Sequence, residues 1–134
     1  MIFTLTGKME LLTINKAFAT LRNGRRVRSK AYAVFKRNIA ILMSLKQREY
    51  ALFERSFDPT KHELHATLNR GTPCMYTKKG CISKNSGDTA NYEKTLCDSV
   101  MTGIIDDAFI TKWEITKYES DEHEFLLSLE IKER

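Results

Sequence analysis

The sequence predicts an α/β domain, a small mixed β-sheet packed by two helices, and three observations carry that prediction. A long amphipathic stretch begins at Ser29, extended segments flank it on both sides, and a shorter helical pattern near Asn91 separates the later extended segments. A chain of 134 residues supports one domain, residues 1–134, with a modest core. Charged residues at 29% and hydrophobic ones at 42% are ordinary for a globular protein. No apolar run approaches the ~18 residues of a membrane span, and the start Met1-Ile-Phe-Thr-Leu-Thr-Gly7 has no basic leader. A cytoplasmic protein with no membrane association is therefore expected.

Taken in order, Ile2 to Thr6 alternates around Phe3 and Leu5 and reads as a strand stopped by Gly7. A second extended piece is expected through Leu11 and Leu12. Asn15 to Arg28 is a basic loop, with Asn23-Gly24 suited to a hairpin tip because both residues tolerate positive φ. Ser29 is the N-cap of a helix to about Arg48, whose apolar stripe is Tyr32, Phe35, Ile39, Leu42 and Met43. Tyr50 to Asp58 reads as a connection, since Pro59 disfavours helix before it. Glu63 to Leu68 is a strand, and Asn69 to Gly87 is a loop broken by Gly71, Pro73, Gly80 and Gly87. Ala108 to Tyr118 and Phe125 to Ile131 are strands, expected to form a hairpin through the polar Glu119 to His123 link.

Cys74, Cys81 and Cys97 are an odd count, which argues for reduced thiols, with Cys97 in the core. Charge is segregated along the chain. Nine basic residues and no acid fall between Arg22 and Arg48, whereas nine acids oppose four basic residues from Asp106 to Arg134. Such asymmetry suggests one surface facing a polyanion and another facing solvent.

The acids around the second helical pattern carry the chemistry. On a helix from about Asn91 to Met101, Asn91, Lys94 and Asp98 share one face, because steps of three and four residues nearly complete helical turns. Leu96, Cys97, Val100 and Met101 form the opposite, buried face. Asp88 before the helix and Asp106-Asp107 after it are placed to converge on the polar side. Magnesium takes hard oxygen ligands and only one or two protein carboxylates, so Asp88 with one member of the Asp pair suffices. If the pair is extended, its side chains diverge and one alone reaches the ion. Lys94 is then placed to stabilise charge on phosphoryl oxygens, and Asn91 to hold a water or a carboxylate. Each residue also has an ordinary role: Asp88 as a helix N-terminal acid, Lys94 as the partner of Asp98, and the Asp pair as a polar turn.

Asp88, Asn91, Lys94, Asp98, Gly103 and Asp106-Asp107, in that order, resemble the RusA-type Holliday-junction resolvases. In that family an Asp-x-Asp-Asn-x-x-Lys segment enters a helix carrying a further Asp, followed by a turn with Gly and an Asp pair. The amino-terminal part is also similar: an early strand, an asparagine (Asn15), a basic turn (Asn23-Gly-Arg-Arg26) and a Ser-initiated helix with an aromatic stripe. The resemblance implies a magnesium-dependent endonuclease, with manganese as an alternative ion, acting as a homodimer on four-way DNA in a bacterial or phage-infected cell. It implies Asp88, Lys94 and Asp107 as catalytic residues, Asp88, Asp106 and Asp107 as metal ligands, and Asn91 and Asp98 as supports. Arg25, Arg26, Arg28, Lys36 and Arg37, with Lys78, Lys79 and Lys84 of the loop, are the DNA-binding candidates. One departure is plain: the second Asp of the motif falls on Ala90. The third carboxylate then comes from Asp106, Asp98 or Glu93, or is absent, and a catalytically impaired branched-DNA-binding dimer is the alternative reading.

Overall fold

The computed structural model describes residues 1–13, 16–84, 92–101, 103 and 105–134. Within them the chain forms β1 (Ile2–Gly7), β2 (Phe18–Thr20), β3 (Arg26–Arg28), α1 (Lys30–Ser44), α2 (Gln47–Ser56), β4 (His62–Thr72) and α3 (Glu93–Val100). A 3-10 turn (Asp107–Phe109), β5 (Ile110–Glu119) and β6 (Glu124–Glu133) follow. The main sheet has the order β1-β6-β4-β5, in which β6 is antiparallel to both β1 and β4, while β5 is parallel to β4. The mixed α/β fold is thus as expected, but three helices pack it, not two.

Alternation along the strands explains the layering. Phe3 and Leu5 of β1, Leu64, Ala66 and Leu68 of β4, and Phe125, Leu127 and Leu129 of β6 all point into one core with Phe35, Ile39, Phe53, Leu96 and Val100 of the helices. Each fully buried leucine contributes about 1.5–3 kcal/mol. The opposite face carries His65, Thr67, Lys112, Glu114, Glu130 and Lys132.

Three expectations are corrected. The helix from Ser29 does not run to Arg48: α1 ends at Ser44, and a second helix occupies 47–56, where a connection was expected. The cause is tertiary, since Phe3 receives Tyr50 and Phe53 at ring-centroid distances of 5.2 and 5.9 Å. That anchorage keeps the chain helical almost to Pro59. Leu11 and Leu12 form no strand; Leu11 is buried in the core, and the Leu12 carbonyl accepts a hydrogen bond from Thr95 Oγ1 of α3.

Nor do β5 and β6 form a hairpin, because β4 lies between them. Their link crosses the end of β4 at Gly71, where a Cβ would stand 2.8 Å from Glu124 Cγ and 3.0 Å from both Ser120 Cβ and the Tyr118 ring. Ser120 N donates to the Thr72 carbonyl at 3.1 Å, and the Tyr118 hydroxyl donates to Glu124 Oε1 at 2.7 Å. The bare backbone at Gly71 lets the chain step over one strand before pairing.

The tip at Asn23-Gly24 does close a hairpin, β2 with β3, with Phe18 opposite Arg28 and Thr20 opposite Arg26. Gly24 has φ of 82°, a conformation that disfavours any side chain, and Asn23 Oδ1 accepts from Arg25 N at 2.9 Å. The segment expected as a loop after Leu68 begins as strand. β4 continues to Thr72, and Tyr76 bridges Ile82 across a turn that exposes Lys78, Lys79 and Gly80. Among the described residues no helix is long and apolar enough to cross a membrane.

Candidate active site

α3 is the platform of the site. Thr95, Leu96, Cys97 and Val100 are buried, while Lys94 and Asp98 are exposed, so the helix separates a polar edge from its core face. Thr95 locks the helix in place, its hydroxyl shared between the carbonyls of Leu12 and Tyr92. Met101 is half-buried at the helix end.

Lys94 Nζ lies 3.3 Å from Asp98 Oδ1, one turn along, and 3.3 Å from Asp107 Oδ2, which arrives from the other side. Its pKa is raised by the hydrogen bonds to Asp107 and Asp98 and by their charges, so the ammonium form is favoured. The members of the Asp pair take different partners. Asp106 is extended (φ −124°, ψ 149°), and its Oδ1 accepts from Ala108 N at 2.9 Å, capping the 3-10 turn, whereas Asp107 reaches Lys94. That backbone hydrogen bond, followed by the proximity of the Asp107 side chain, holds the Asp106 carboxyl below its ordinary pKa. Gly103, with φ of 91°, turns the chain between α3 and the pair where a Cβ would stand 2.9 Å from Glu54 Oε2.

Beneath this edge Cys97 is a thiol whose pKa is pushed up to about 12, first by burial and then by the charges of Asp107, Asp98 and Glu93. It is inert at neutral pH. Glu93 Oε2 is buried with no hydrogen-bond partner among the described residues. Asp88, Ala90 and Asn91, and Asn15 near the hairpin, lie outside the described residues. Among those described, no three His, Cys, Asp or Glu side chains converge on a common metal position.

The basic surface adjoins this edge through Tyr32. Arg28 and Lys36 place their charges 5.4 and 5.3 Å from the Tyr32 ring centroid, and Phe18 meets the same ring edge-on at 5.7 Å. Arg26 lies over Phe18 at 4.4 Å. Burial, followed by the charge of Asp98, raises the Tyr32 pKa, while Arg28 and Lys94 oppose them. Tyr32 thus touches the cationic hairpin and lies within the electrostatic reach of the acid–lysine edge. Arg25 and Arg37 are exposed on the same two elements, the hairpin and α1, and Lys78, Lys79 and Lys84 are exposed on the separate 73–84 excursion.

Arg70 escaped sequence reasoning. It follows Leu64, Ala66 and Leu68 in the core-facing row of β4, is 4% exposed, and stacks over Tyr92 at 4.2 Å where α3 begins. Continuing the alternation past Leu68 would have revealed it. Its burial places a cation beside the start of α3, in a stacking geometry favoured when desolvated.

Fold and site together define a small α/β domain that presents a lysine between carboxylates beside an arginine-rich hairpin. The family model for Endodeoxyribonuclease RusA matches residues 12–130, and the chain belongs to that family. Members are nucleases that resolve Holliday junctions, and they generally depend on divalent metal. No curated protein matches the chain.

Proposed function

We propose that this chain is a magnesium-dependent endonuclease that, as a homodimer of single-domain protomers spanning residues 1–134, makes paired symmetric cuts in four-way DNA. The observation that supports it best is the placement of Lys94 at 3.3 Å from both Asp98 and Asp107, next to the Arg26–Phe18–Tyr32–Arg28 surface. Asp88, Asp106 and Asp107 are the metal ligands, Asp106 having one oxygen committed to its turn, and manganese substitutes for magnesium. The donors suit such an ion: hard carboxylate oxygens, few in number, at a solvent-open edge where water completes the shell. A bound ion supplies a water of lowered pKa and charge stabilisation at the phosphorus.

The chain's own residues do the rest. Lys94 presents its ammonium to a non-bridging phosphoryl oxygen, where negative charge grows during in-line displacement. Asp98 holds that ammonium on the exposed edge, and Asn91 orients a water or a carboxylate. Arg25, Arg26, Arg28, Lys36 and Arg37 bind phosphates of one arm, and Lys78, Lys79 and Lys84 those of another, contacts that confer affinity without reading sequence. A two-fold dimer presents two such edges to two equivalent strands.

Ala90 motivates a second reading, a dimer that binds branched DNA without cutting it. Purified protein incubated with a labelled four-way junction and a matched linear duplex, in magnesium, manganese or chelator, separates the two. Paired nicks in the junction alone, lost in chelator, are expected. A retarded but uncut junction under every condition refutes catalysis and leaves binding. Asp88→Asn and Asp107→Asn abolish cutting while preserving junction binding; parallel loss of binding would count against their assigned roles.

A further inference from the structure

We infer that Glu93 supplies the carboxylate that Ala90 lacks and joins Asp107 in holding the divalent ion. The inference rests on the nuclease reading above. Its anchor is the buried Oε2 of Glu93, which has no hydrogen-bond partner among the described residues. Buried carboxylate oxygens are rarely left unmet, because they lose the hydration that stabilises their charge. An acid that served only the helix dipole in the first turn of α3 would sit in solvent.

Placement agrees. Glu93 is the first residue of α3, next to Lys94, and Cys97 lies one turn further on. Lys94, the residue after Glu93, reaches Asp107 Oδ2 at 3.3 Å, and the charges of Glu93 and Asp107 both act on the Cys97 thiol. In sequence Glu93 comes three residues after Ala90. Its side chain is one methylene longer than that of aspartate. Glu93 and Asp107 are two hard oxygen donors, as many carboxylates as magnesium ordinarily takes from a protein.

The test compares wild type, Glu93→Gln, Ala90→Asp and the double variant by calorimetric titration with Mn2+, by junction retardation in chelator, and by cleavage. Glu93→Gln is expected to weaken Mn2+ binding by about 10–100-fold, the range seen when metal-site partners are removed, and to slow cleavage while leaving retardation in chelator unchanged. Ala90→Asp in the same chain is expected to restore both ion binding and cutting. Mn2+ binding by Glu93→Gln equal to wild type overturns the inference, as does a double variant that recovers neither property. If Glu93→Gln fails to fold, Glu93→Asp decides, because it keeps the charge but withdraws it by one methylene; undiminished Mn2+ affinity in that variant overturns the inference. Equal cutting by wild type and Glu93→Gln defeats this assignment alone. A wild type that retards junctions but neither takes up Mn2+ nor cuts defeats the nuclease reading as well.

Discussion

Replacing Lys94 with methionine separates a chemical role from a structural one. Lys94 is 55% exposed, and its partners Asp98 and Asp107 are 38% and 35% exposed, so all three remain hydrated when the cation is removed. Exposed ion pairs contribute roughly 0.2–1 kcal/mol each, and the pair spaced four residues apart on α3 only about 0.3–0.5. Methionine and lysine have similar helix propensities. The expected loss of stability is therefore about 1 kcal/mol. With an unfolding entropy of about 2.1 cal/mol/K per residue, that corresponds to a fall in Tm of roughly 4 °C. If the ammonium stabilises the pentacoordinate phosphoryl group, single-turnover cleavage falls about 10²–10³-fold. Thermal denaturation, junction retardation and single-turnover cleavage on one preparation read all three quantities. Cleavage within about fivefold of wild type would refute the role, since removing even one electrostatic partner of a transition state costs more. A fall in Tm beyond roughly 10 °C would show instead that the lysine is structural.

Other outcomes are open to measurement. Gly71→Ala forces a Cβ against Glu124 Cγ, Ser120 and the Tyr118 ring, so chemical denaturation should show a loss of about 1–3 kcal/mol, as overpacking does. Cys74 and Cys81 are exposed and should react with a thiol reagent in the native protein, whereas Cys97 should react only after unfolding; three equally fast thiols would contradict its burial. Because the Cys97 pKa is raised from 9.0 to about 12, the folded state retains its proton where the unfolded state has lost it, so stability should decline as pH rises through that window and Cys97→Ala should lessen the decline, the remainder coming from groups such as Tyr32 and Lys94 whose pKa is also raised. Arg26→Ala with Arg28→Ala should flatten the dependence of log affinity on log salt by roughly 0.9 for each phosphate no longer neutralised, with no effect on Tm beyond about 2 °C.

The face of α3 was legible because burial of Leu96, Cys97 and Val100 follows the helical period, which also placed Lys94 and Asp98 together. The pair was expected to diverge if extended; only Asp106 is extended, because Asp107 opens the 3-10 turn, and the two side chains take different partners. The β2–β3 tip was legible from Asn23-Gly24, since positive φ is a local property. What stayed hidden depends on distant partners. No proline or glycine marks the break between α1 and α2, and it takes Phe3 to show why Tyr50 and Phe53 belong to a helix. A short polar link between two strands reads as a hairpin unless a third strand is known to intervene, and only Gly71 hints that a chain crosses there. Arg70 was missed because a charge in an alternating row looks like the end of a strand, although here it extends the row beneath Tyr92.

β1 has one sheet neighbour, β6, with Ile2 opposite Glu130 and Gly7 opposite Phe125. In chain order β1 precedes and β6 follows every other strand of this sheet, so β1 has no backbone partner until β6 has been made. Until then Phe3 and Leu5 remain apolar side chains on an unpaired strand, held at most by α1 and α2. Contacts this distant in sequence form slowly, because a long loop must close before they yield any stabilisation. The helices and the basic hairpin can assemble during synthesis, but the sheet beneath α3 closes last. The acid–lysine edge thus acquires its rigid support only after β6 has been made, although every residue of the edge precedes that strand.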